Sequence, residues 1–310
     1  MDFTSLIKNA RPHLKNNSVK AYATSLKLLA PEEETGLDFL YDHESVMLKL
    51  GKYKPTTRKN YLNAAIVVLR GDTSKAGATS LAKFEKLRDK YNTEYSDNAR
   101  AHKKTPKQEE NWIEWDDYLA IVDKLRDSVS HLKSGPSEWS ESDLMKYQDY
   151  ILTLLYSKYP LRNDLSETRV ISKTSYNNLT DADKSGGNYL VRHSTNKYFL
   201  CLNEYKTSKK YGEKKIEIDA ALLKPLRKWL RKQTSGFLLI NTQGQAMSSN
   251  GITKALNRIG RQQRGKPFGT SLLRHSYLSN KYADVQAEKE KDSHIMGHSI
   301  QTQEDYIKKD

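Results

Sequence analysis

The sequence has a single cysteine, Cys201, and no apolar run as long as a membrane-spanning helix. One thiol forms no internal disulfide and no cysteine-based zinc site, which agrees with a reducing compartment. The N-terminal segment MDFTSLIKNARPHLK lacks the charged start and apolar stretch of a signal peptide. No carboxylate pair or histidine cluster has metal-ligand spacing. We therefore expect an intracellular protein with no membrane partner, no metal and no cofactor.

Positive charge exceeds negative charge in both parts of the chain. The 310 residues carry a net charge of +14, with an isoelectric point near 9.4. Residues 1–105 and 106–310 each contribute +7. Basic side chains bind polyanions by releasing the counterions condensed on phosphates, so double-stranded DNA is the expected partner. Both parts of the chain can contact it.

The first hundred residues carry apolar side chains at helical spacing. Three such stripes predict a small basic helical bundle. A polar, charged stretch without apolar periodicity follows and predicts a linker. We therefore expect one domain at residues 1–96, a linker at 97–111 and a second domain at 112–310. The stripes are Val19, Tyr22, Leu26 and Leu29; Tyr61, Ala65, Ile66 and Leu69; and Leu81, Phe84, Leu87 and Tyr91.

The second part of the chain mixes helical and β-type patterns. A helical stripe at Leu144, Tyr147, Ile151 and Leu154 precedes three short β-type runs, after which helical patterns return. A turn-like STNK separates the first two runs. The predicted fold class is mainly α with a small antiparallel β-sheet (α+β). The predicted strands span 189–192, 198–203 and 215–218.

Four separated segments carry candidate catalytic residues in a fixed order. Arg162 lies in PLRND after a helix, and Lys206 begins the basic turn YKTSKKYGEKK between two predicted strands. Arg274 lies in SLLRHSY, and MGHSIQTQEDY contains His298 and Tyr306. Each segment alone is a weak signal, but five residues in this order are hard to obtain by accident.

With these motifs, the chain resembles the tyrosine recombinase (integrase) family over its whole length in outline. PLRND, LRHSY and MGHS look most like the branch found in eukaryotic mobile elements and large DNA viruses or virophages. The resemblance implies a helical core-binding domain ahead of a catalytic domain that cleaves and rejoins DNA through a 3′-phosphotyrosine. It implies a homo-tetramer on two DNA sites, and a monomer or dimer without DNA. It further implies integration or excision of a mobile or viral element, in the host nucleus or a viral factory.

The proposed chemistry explains why these residue types are needed. Tyrosine attack on a phosphodiester adds negative charge to its non-bridging oxygens, and guanidinium groups match that geometry, so Arg162 and Arg274 are suited to clamp the phosphate. A phenol has a pKa of about 10, so Tyr306 needs cationic surroundings and a proton acceptor. By resemblance, Lys206 protonates the departing 5′ oxygen, and His298 binds the phosphate or orients Tyr306.

Some positions carry alternatives. Ser271 stands where the family usually has a histidine three residues before its second arginine. A hydroxyl can donate a hydrogen bond to phosphate, but it does not shuttle a proton at neutral pH. Lys209 and Lys210 compete with Lys206, in a basic stretch that could equally contact DNA backbone. Asp164 is expected to orient an arginine or a lysine by charge pairing.

Two rival functions stay open beside the recombinase. A type IB topoisomerase shares the chemistry but works alone, and a non-catalytic DNA-binding relic is favoured by Ser271. The sequence also leaves open whether Tyr306 acts in its own subunit or in a neighbour. Further basic residues are expected to contact DNA, namely Lys20, Lys59, Lys103, Lys104, Lys209, Lys210 and Arg264.

Overall fold

The computed structural model describes residues 2–32, 36–100, 102–135 and 138–308, with backbone only at 98–100. The chain divides into two compact units, Met1–Lys104 and Thr105–Asp310. The division falls inside the segment 97–111. Each unit has its own apolar core.

The described part of the first unit contains five α-helices. α4 is the central one: it begins at Pro55, where a missing amide hydrogen breaks no helical bond, and all residues but one are buried from Tyr61 to Leu69. The predicted apolar stripes face this core, since Leu26 and Phe84 are fully buried. The helices are α1 (Phe3–Ala10), α2 (Asn16–Leu29), α3 (His43–Gly51), α4 (Pro55–Leu69) and α5 (Lys75–Arg100).

The segment 97–111 is more helical than its polar composition indicates. α5 continues to Arg100, and a short helix, α6, spans Pro106–Asn111. Thr105 and Gln108 form a capping box at the start of α6. α6 buries no residue, so its sequence needs no apolar stripe.

The second unit combines helices with one sheet. Two of its helices, α8 and α14, are long, and several others span only one turn. Besides α6, its helices are α7 (Trp115–Ser128), α8 (Glu141–Lys158), α9 (Lys173–Asn177), α10 (Asp181–Ser185), α11 (Ser208–Tyr211), α12 (Ala220–Lys232), α13 (Ser249–Arg264), α14 (Thr270–Met296) and α15 (Ile300–Tyr306). Its strands are β1 (Arg169–Ser172), β2 (Asn188–Ser194), β3 (Lys197–Leu202) and β4 (Lys214–Glu217).

The sheet has the strand order β1-β2-β3-β4. β2, β3 and β4 correspond to the three predicted strands and pair antiparallel, which confirms the mainly α fold class with a small sheet. β1 was not predicted, and it adds to β2 in parallel, so the sheet is mixed. Its four residues, RVIS, are too few to show an alternation of buried and exposed side chains.

The core of the second unit is formed by one face of the sheet together with four helices, α7, α8, α12 and α13. α8 contributes Ile151, Leu152, Leu155 and Tyr156, all fully buried or nearly so. Trp229 of α12 is fully buried, and its indole nitrogen donates to the Leu238 carbonyl oxygen at 2.8 Å. This core fixes the positions of the loops that follow α8 and precede α14.

The two ends of α14 have different surroundings. Leu273 and Ser276, near its start, are buried, whereas Leu278, Tyr282 and Val285 are about half exposed. α15 packs against α14 after the turn at residues 297–299. None of the helices in the described part of the chain has the length and apolar character to cross a membrane.

Candidate active site

The backbone at Arg162 is fixed by α8. The hydroxyl of Tyr156, on the last turns of that helix, donates to the Arg162 carbonyl oxygen at 2.8 Å. A short 3-10 turn, Asn163–Leu165, follows and buries Leu165 in the core. The Arg162 side chain itself is exposed. Buried contacts of the neighbouring residues therefore fix the Arg162 backbone, while its guanidinium is exposed to solvent.

Asn163 joins the loop of Arg162 to two helices. Its Nδ2 donates to the Ser249 carbonyl oxygen and to Thr253 Oγ1, both at 3.0 Å. Its Oδ1 accepts from Thr270 Oγ1, in the first residue of α14, at 2.9 Å. Arg274 lies one helical turn after Thr270. One amide side chain thus ties the segments of both arginines together, and the sequence analysis had not identified it.

Arg162, Asp164 and Arg274 form an electrostatic cluster. The pKa of Asp164 is raised because its burial outweighs the opposing effects of Arg162, Lys214 and Arg274. The pKa of Arg274 is lowered by burial and then by the positive charge of Arg162. Arg274 Nε is buried, and no acceptor in the described part of the chain satisfies it. Two guanidiniums around one carboxyl leave a net positive charge and a free donor, which suits a phosphate.

The turn of Lys206 is tied to the same cluster by Asn188. Nδ2 of Asn188 donates to the carbonyl oxygens of Asp164 and Glu204, at 2.8 and 2.9 Å. Its Oδ1 accepts from the backbone nitrogens of Asn203 and Glu204, both at 2.9 Å. Lys206 follows two residues later with an exposed side chain. Asn188 lies one residue before the strand predicted at 189–192, and its amide shows no pattern in the sequence that indicates this role.

Lys214 is a further cation beside the cluster. Its charge acts on Asp164, and its Nζ lies 4.5 Å from the centre of the Tyr205 ring. The sequence analysis counted it only as part of a basic stretch. Lys209 and Lys210 lie on α11 with exposed side chains, and Lys210 Nζ lies 5.2 Å from the Tyr211 ring centre. Lys206 therefore has Lys214 as its strongest structural competitor.

Ser271 lies on the same side of α14 as Arg274. Residues three apart in a helix are neighbours on its surface, and Ser271 is exposed in the first turn. The adjacent Thr270 hydroxyl is already bonded to Asn163. Ser271 is thus an exposed hydroxyl next to Arg274.

His298 and Tyr306 are close to each other at the opposite end of α14. Gly297 ends that helix with a φ of +70°, a conformation that favours glycine. The His298 and Tyr306 rings have centroids 5.6 Å apart, and the Tyr306 side chain is 69% exposed. His298 Nε2 is buried and has no hydrogen-bond partner in the described part of the chain.

The structure does not bring Tyr306 to the arginines. Arg274 and Met296 are 22 residues apart in one continuous helix, which at about 1.5 Å per residue separates them by about 33 Å. α15 is held beside the far end of α14, where Lys289 Nζ and Glu304 Oε1 are 3.0 Å apart. Arg162, Ser271 and Arg274 therefore lie near the start of α14, with the backbone of the Lys206 turn tied to them through Asn188, whereas His298 and Tyr306 lie at its far end.

The other basic residues expected to contact DNA have varied surroundings. Lys20 is exposed on α2, and Lys59 Nζ lies 4.9 Å from the Tyr95 ring centre. Lys103 and Lys104 are exposed between α5 and α6.

Arg264 makes hydrogen bonds within its own unit. Its Nη1 and Nη2 donate to the carbonyl oxygens of Asn111 and Trp112, at 3.1 and 2.5 Å, and burial lowers its pKa. Its contact with DNA stays a prediction. No group of three or more His, Cys, Asp or Glu side chains in the described ranges is arranged to hold a metal ion.

Comparison with known proteins gives structural likeness only. No family model and no curated protein sequence matches the chain. The fold is similar to XerH site-specific recombinase bound to difH substrate in a pre-cleavage complex, with a TM-score of 0.45 and 13% identity over 97% of this chain and 80% of that one. It is also similar to XerH bound to palindromic difH substrate in a post-cleavage complex, with a TM-score of 0.43 and 14% identity over 97% and 78%.

Proposed function

We propose that this protein is a tyrosine recombinase that cleaves and rejoins DNA through a covalent 3′-phosphotyrosine at Tyr306. The cluster of Arg162, Asp164 and Arg274 carries the proposal, together with the Asn188 amide that ties the turn of Lys206 to it. These residues are far apart in sequence and come from a loop, a helix and a strand-to-strand connection. Their convergence around net positive charge is what the stabilisation of a phosphodiester under attack requires.

Each proposed residue has a defined part in the reaction. Tyr306 Oη attacks the phosphorus, the bond to the 5′ oxygen breaks, and the phenolic proton passes to His298 or solvent. Arg162 and Arg274 hold the non-bridging oxygens, and Lys206 Nζ protonates the departing 5′ oxygen. Attack by the 5′ hydroxyl of a partner duplex then reverses the step and releases the tyrosine. One phosphoester replaces another, so the reaction needs no external energy source.

The proposal requires that the phenol reach the arginines. Two routes are compatible with the structure: a break within α14, or donation of Tyr306 to the cluster of another subunit. Residues 278–292 of α14 are exposed apart from two partly buried positions, Gln286 and Lys289. Little packing is lost if this segment changes course, so its rearrangement has a low free-energy cost. Assembly of four subunits on two DNA sites is part of the same proposal, as is the integration or excision of a mobile or viral element.

A non-catalytic DNA-binding role is the second candidate. It is favoured by the separation of Tyr306 from Arg274 and by Ser271 in place of a proton-transferring histidine. Such a protein keeps the cationic cluster for phosphate binding but forms no covalent bond to DNA.

A suicide-substrate assay separates the two functions. Short duplexes of varied sequence, each nicked so that the freed strand end diffuses away, trap any covalent protein–DNA adduct. We expect an adduct with the unaltered protein and none with Tyr306→Phe. Tyr282→Phe, which changes another exposed tyrosine of the same region, is the matched control and retains the adduct. An adduct that persists in Tyr306→Phe contradicts the nucleophile assignment, and binding without any adduct supports the non-catalytic role.

A further inference from the structure

A basic cleft opens at the end of the sheet opposite to Arg162 and Lys206. It is formed by the C-terminal ends of β1 and β2, the start of β3 and the second half of α12, and it encloses about 940 Å³. We call it the sheet-end cleft. Asn188, beside the arginine cluster, and His193, in the cleft, are five residues apart on β2, which corresponds to about 17 Å. The cleft is therefore separate from the proposed catalytic phosphate.

The cleft gathers positive charge without a compensating carboxylate. Its lining includes Lys173, Arg192, Arg227 and Arg231, and none of the described lining residues is an aspartate or a glutamate. No ion pair joins these four cations to a carboxylate in the described part of the chain. Like charges held together repel one another, so an anion that neutralises them is stabilised in the cleft.

The pKa of His193 reflects the same positive environment. Its pKa is lowered first by burial and then by the charges of Lys215, Lys173 and Lys197, against a weaker opposing effect of Glu217. Glu217 is itself 3.7 Å from Lys197 Nζ. The carboxylate near the cleft is thus engaged with a lysine outside its lining.

One arginine of the cleft is held in place by the fold. Arg227 Nη1 donates to the Thr195 carbonyl oxygen at 3.1 Å and to Asn196 Oδ1 at 2.8 Å, which joins α12 to the β2–β3 turn. Its Nε is buried, with no acceptor among the described residues. Arg231 follows four residues later on the same face of α12. Little side-chain entropy is lost when an anion binds to a guanidinium that is already fixed.

We propose that the sheet-end cleft binds the phosphate backbone of a second nucleic-acid segment. Three of its four cations are arginines, whose planar forks match phosphate oxygens, and the hydroxyls of Ser194 and Thr195 line the same space. The volume is that of a pocket for a ligand much larger than one phosphate ion. The net charge of +14 favours a nucleic acid over an acidic peptide. This site lies beyond the proposed function and does not depend on Tyr306.

A site-specific cross-link tests the proposal in the full-length chain. Cys201 is the single cysteine and is buried, so Thr234→Cys places one accessible thiol at the cleft. A short duplex carries disulfide-activated tethers on its phosphates. We expect a cross-linking yield about fivefold or more above that of Ser130→Cys, an exposed position after α7, because local phosphate binding raises the effective concentration. Equal yields at the two positions would overturn the proposal.

Charge reversal within the cleft identifies the groups responsible. In the Thr234→Cys background, Arg192→Glu with Arg231→Glu is expected to lower the yield about tenfold or more. Lys86→Glu with Lys124→Glu makes the same charge change at exposed residues of α5 and α7 and is expected to leave the yield within about twofold. Both arginines of the test pair have mostly exposed side chains, and a melting temperature shows whether the fold is kept. If the charge-reversed variant does not keep the fold, the milder double variant Arg192→Gln with Arg231→Gln is used in its place.

Competitors distinguish the possible ligands. Displacement of the tethered duplex by unlabelled DNA, but not by inorganic phosphate or a polyglutamate peptide at the same charge concentration, is the expected result. The assignment to nucleic acid would be overturned if the peptide displaced the duplex as effectively as DNA does, or if inorganic phosphate alone displaced it. An equal loss of yield in the control pair would do the same. The suicide-substrate adduct at Tyr306 is measured separately, so either proposal can fail while the other stands.

Discussion

The two ends of α14 differ in how firmly their functional residues are held. At its start, Arg274 is one turn from Thr270, which is bonded to Asn163 and through it to α13. At its far end, the phenol of Tyr306 is exposed, and the visible ties are helix caps, a ring contact with His298 and one ion pair. The arginine end is therefore fixed by the core, whereas the tyrosine end is held by contacts near solvent. We infer that the binding half of the site is preformed and that the nucleophile is delivered to it.

The largest expected effect comes from removing a guanidinium at the fixed end. Arg274→Ala or Arg162→Ala is expected to slow adduct formation about 100- to 1,000-fold, because one preorganised donor to the developing charge is lost. Single-turnover cleavage of the suicide substrate measures this. Arg261→Ala, at an exposed position on α13, is the control and retains activity. If the rate of adduct formation falls by less than about tenfold in both variants, the two arginines do not stabilise the phosphate as proposed.

The next largest effect is expected from replacing Asn188, whose amide ties the turn of Lys206 to the backbone of Asp164. Asn188→Ala removes four hydrogen bonds and leaves backbone groups of Asp164, Asn203 and Glu204 without this partner. We expect the free energy of unfolding to fall by about 1–3 kcal/mol, with slower cleavage at a saturating DNA concentration. Denaturant unfolding measures the first quantity. Asn178→Ala, an exposed amide at the end of α9, should change neither.

A distance measurement tests the delivery of the nucleophile. Spin labels at His275→Cys and Ile307→Cys, with Cys201 buried, should lie about 20 Å or more apart in the free protein, because Glu304 pairs with Lys289, 14 residues after His275 on α14. If α14 breaks when DNA binds, the distance within a subunit falls to roughly half of that value. If the tyrosine is donated to a neighbour, the distance is kept and a short distance appears between subunits. A short distance in the free protein would contradict the continuous helix.

The smallest effect is expected at the ion pair that joins α15 to the tyrosine end of α14. Glu304→Gln removes its partner from Lys289, and such a partly exposed pair contributes about 0.2–1 kcal/mol. If release of α15 limits cleavage, adduct formation should become about 1.5- to 5-fold faster. Glu288→Gln, an exposed neighbour on α14, is the control. A slower reaction in Glu304→Gln would show that the pair supports the active arrangement instead.

Much of the fold follows from periodicity. The helical stripes of residues 19–29 and 61–69 face the core as predicted, with only Tyr22 partly buried, and three of the four strands lie where β-type runs occur. β1 could not be found in this way, because four residues between two loops carry too little pattern. The end of α5 and the short α6 were also missed, because exposed helices need no apolar stripe. The hydrogen bonds of the Arg264 guanidinium to two carbonyl oxygens of its own unit also could not be read from the sequence, because they depend on tertiary packing.

The sequence by itself determined the helical units, the three-stranded hairpin region and the chemical identity of the candidate groups, since residue type and spacing are local properties. Only the tertiary structure decided that Arg162 and Arg274 share one carboxyl, and that Asn163 and Asn188 hold their segments together. It also decided that Tyr306 lies beside the far end of α14, where Glu304 pairs with Lys289, and not beside the arginines. Distances between remote segments depend on whether the intervening helix continues or breaks, and that choice is made by packing and by bound partners, not by local propensity.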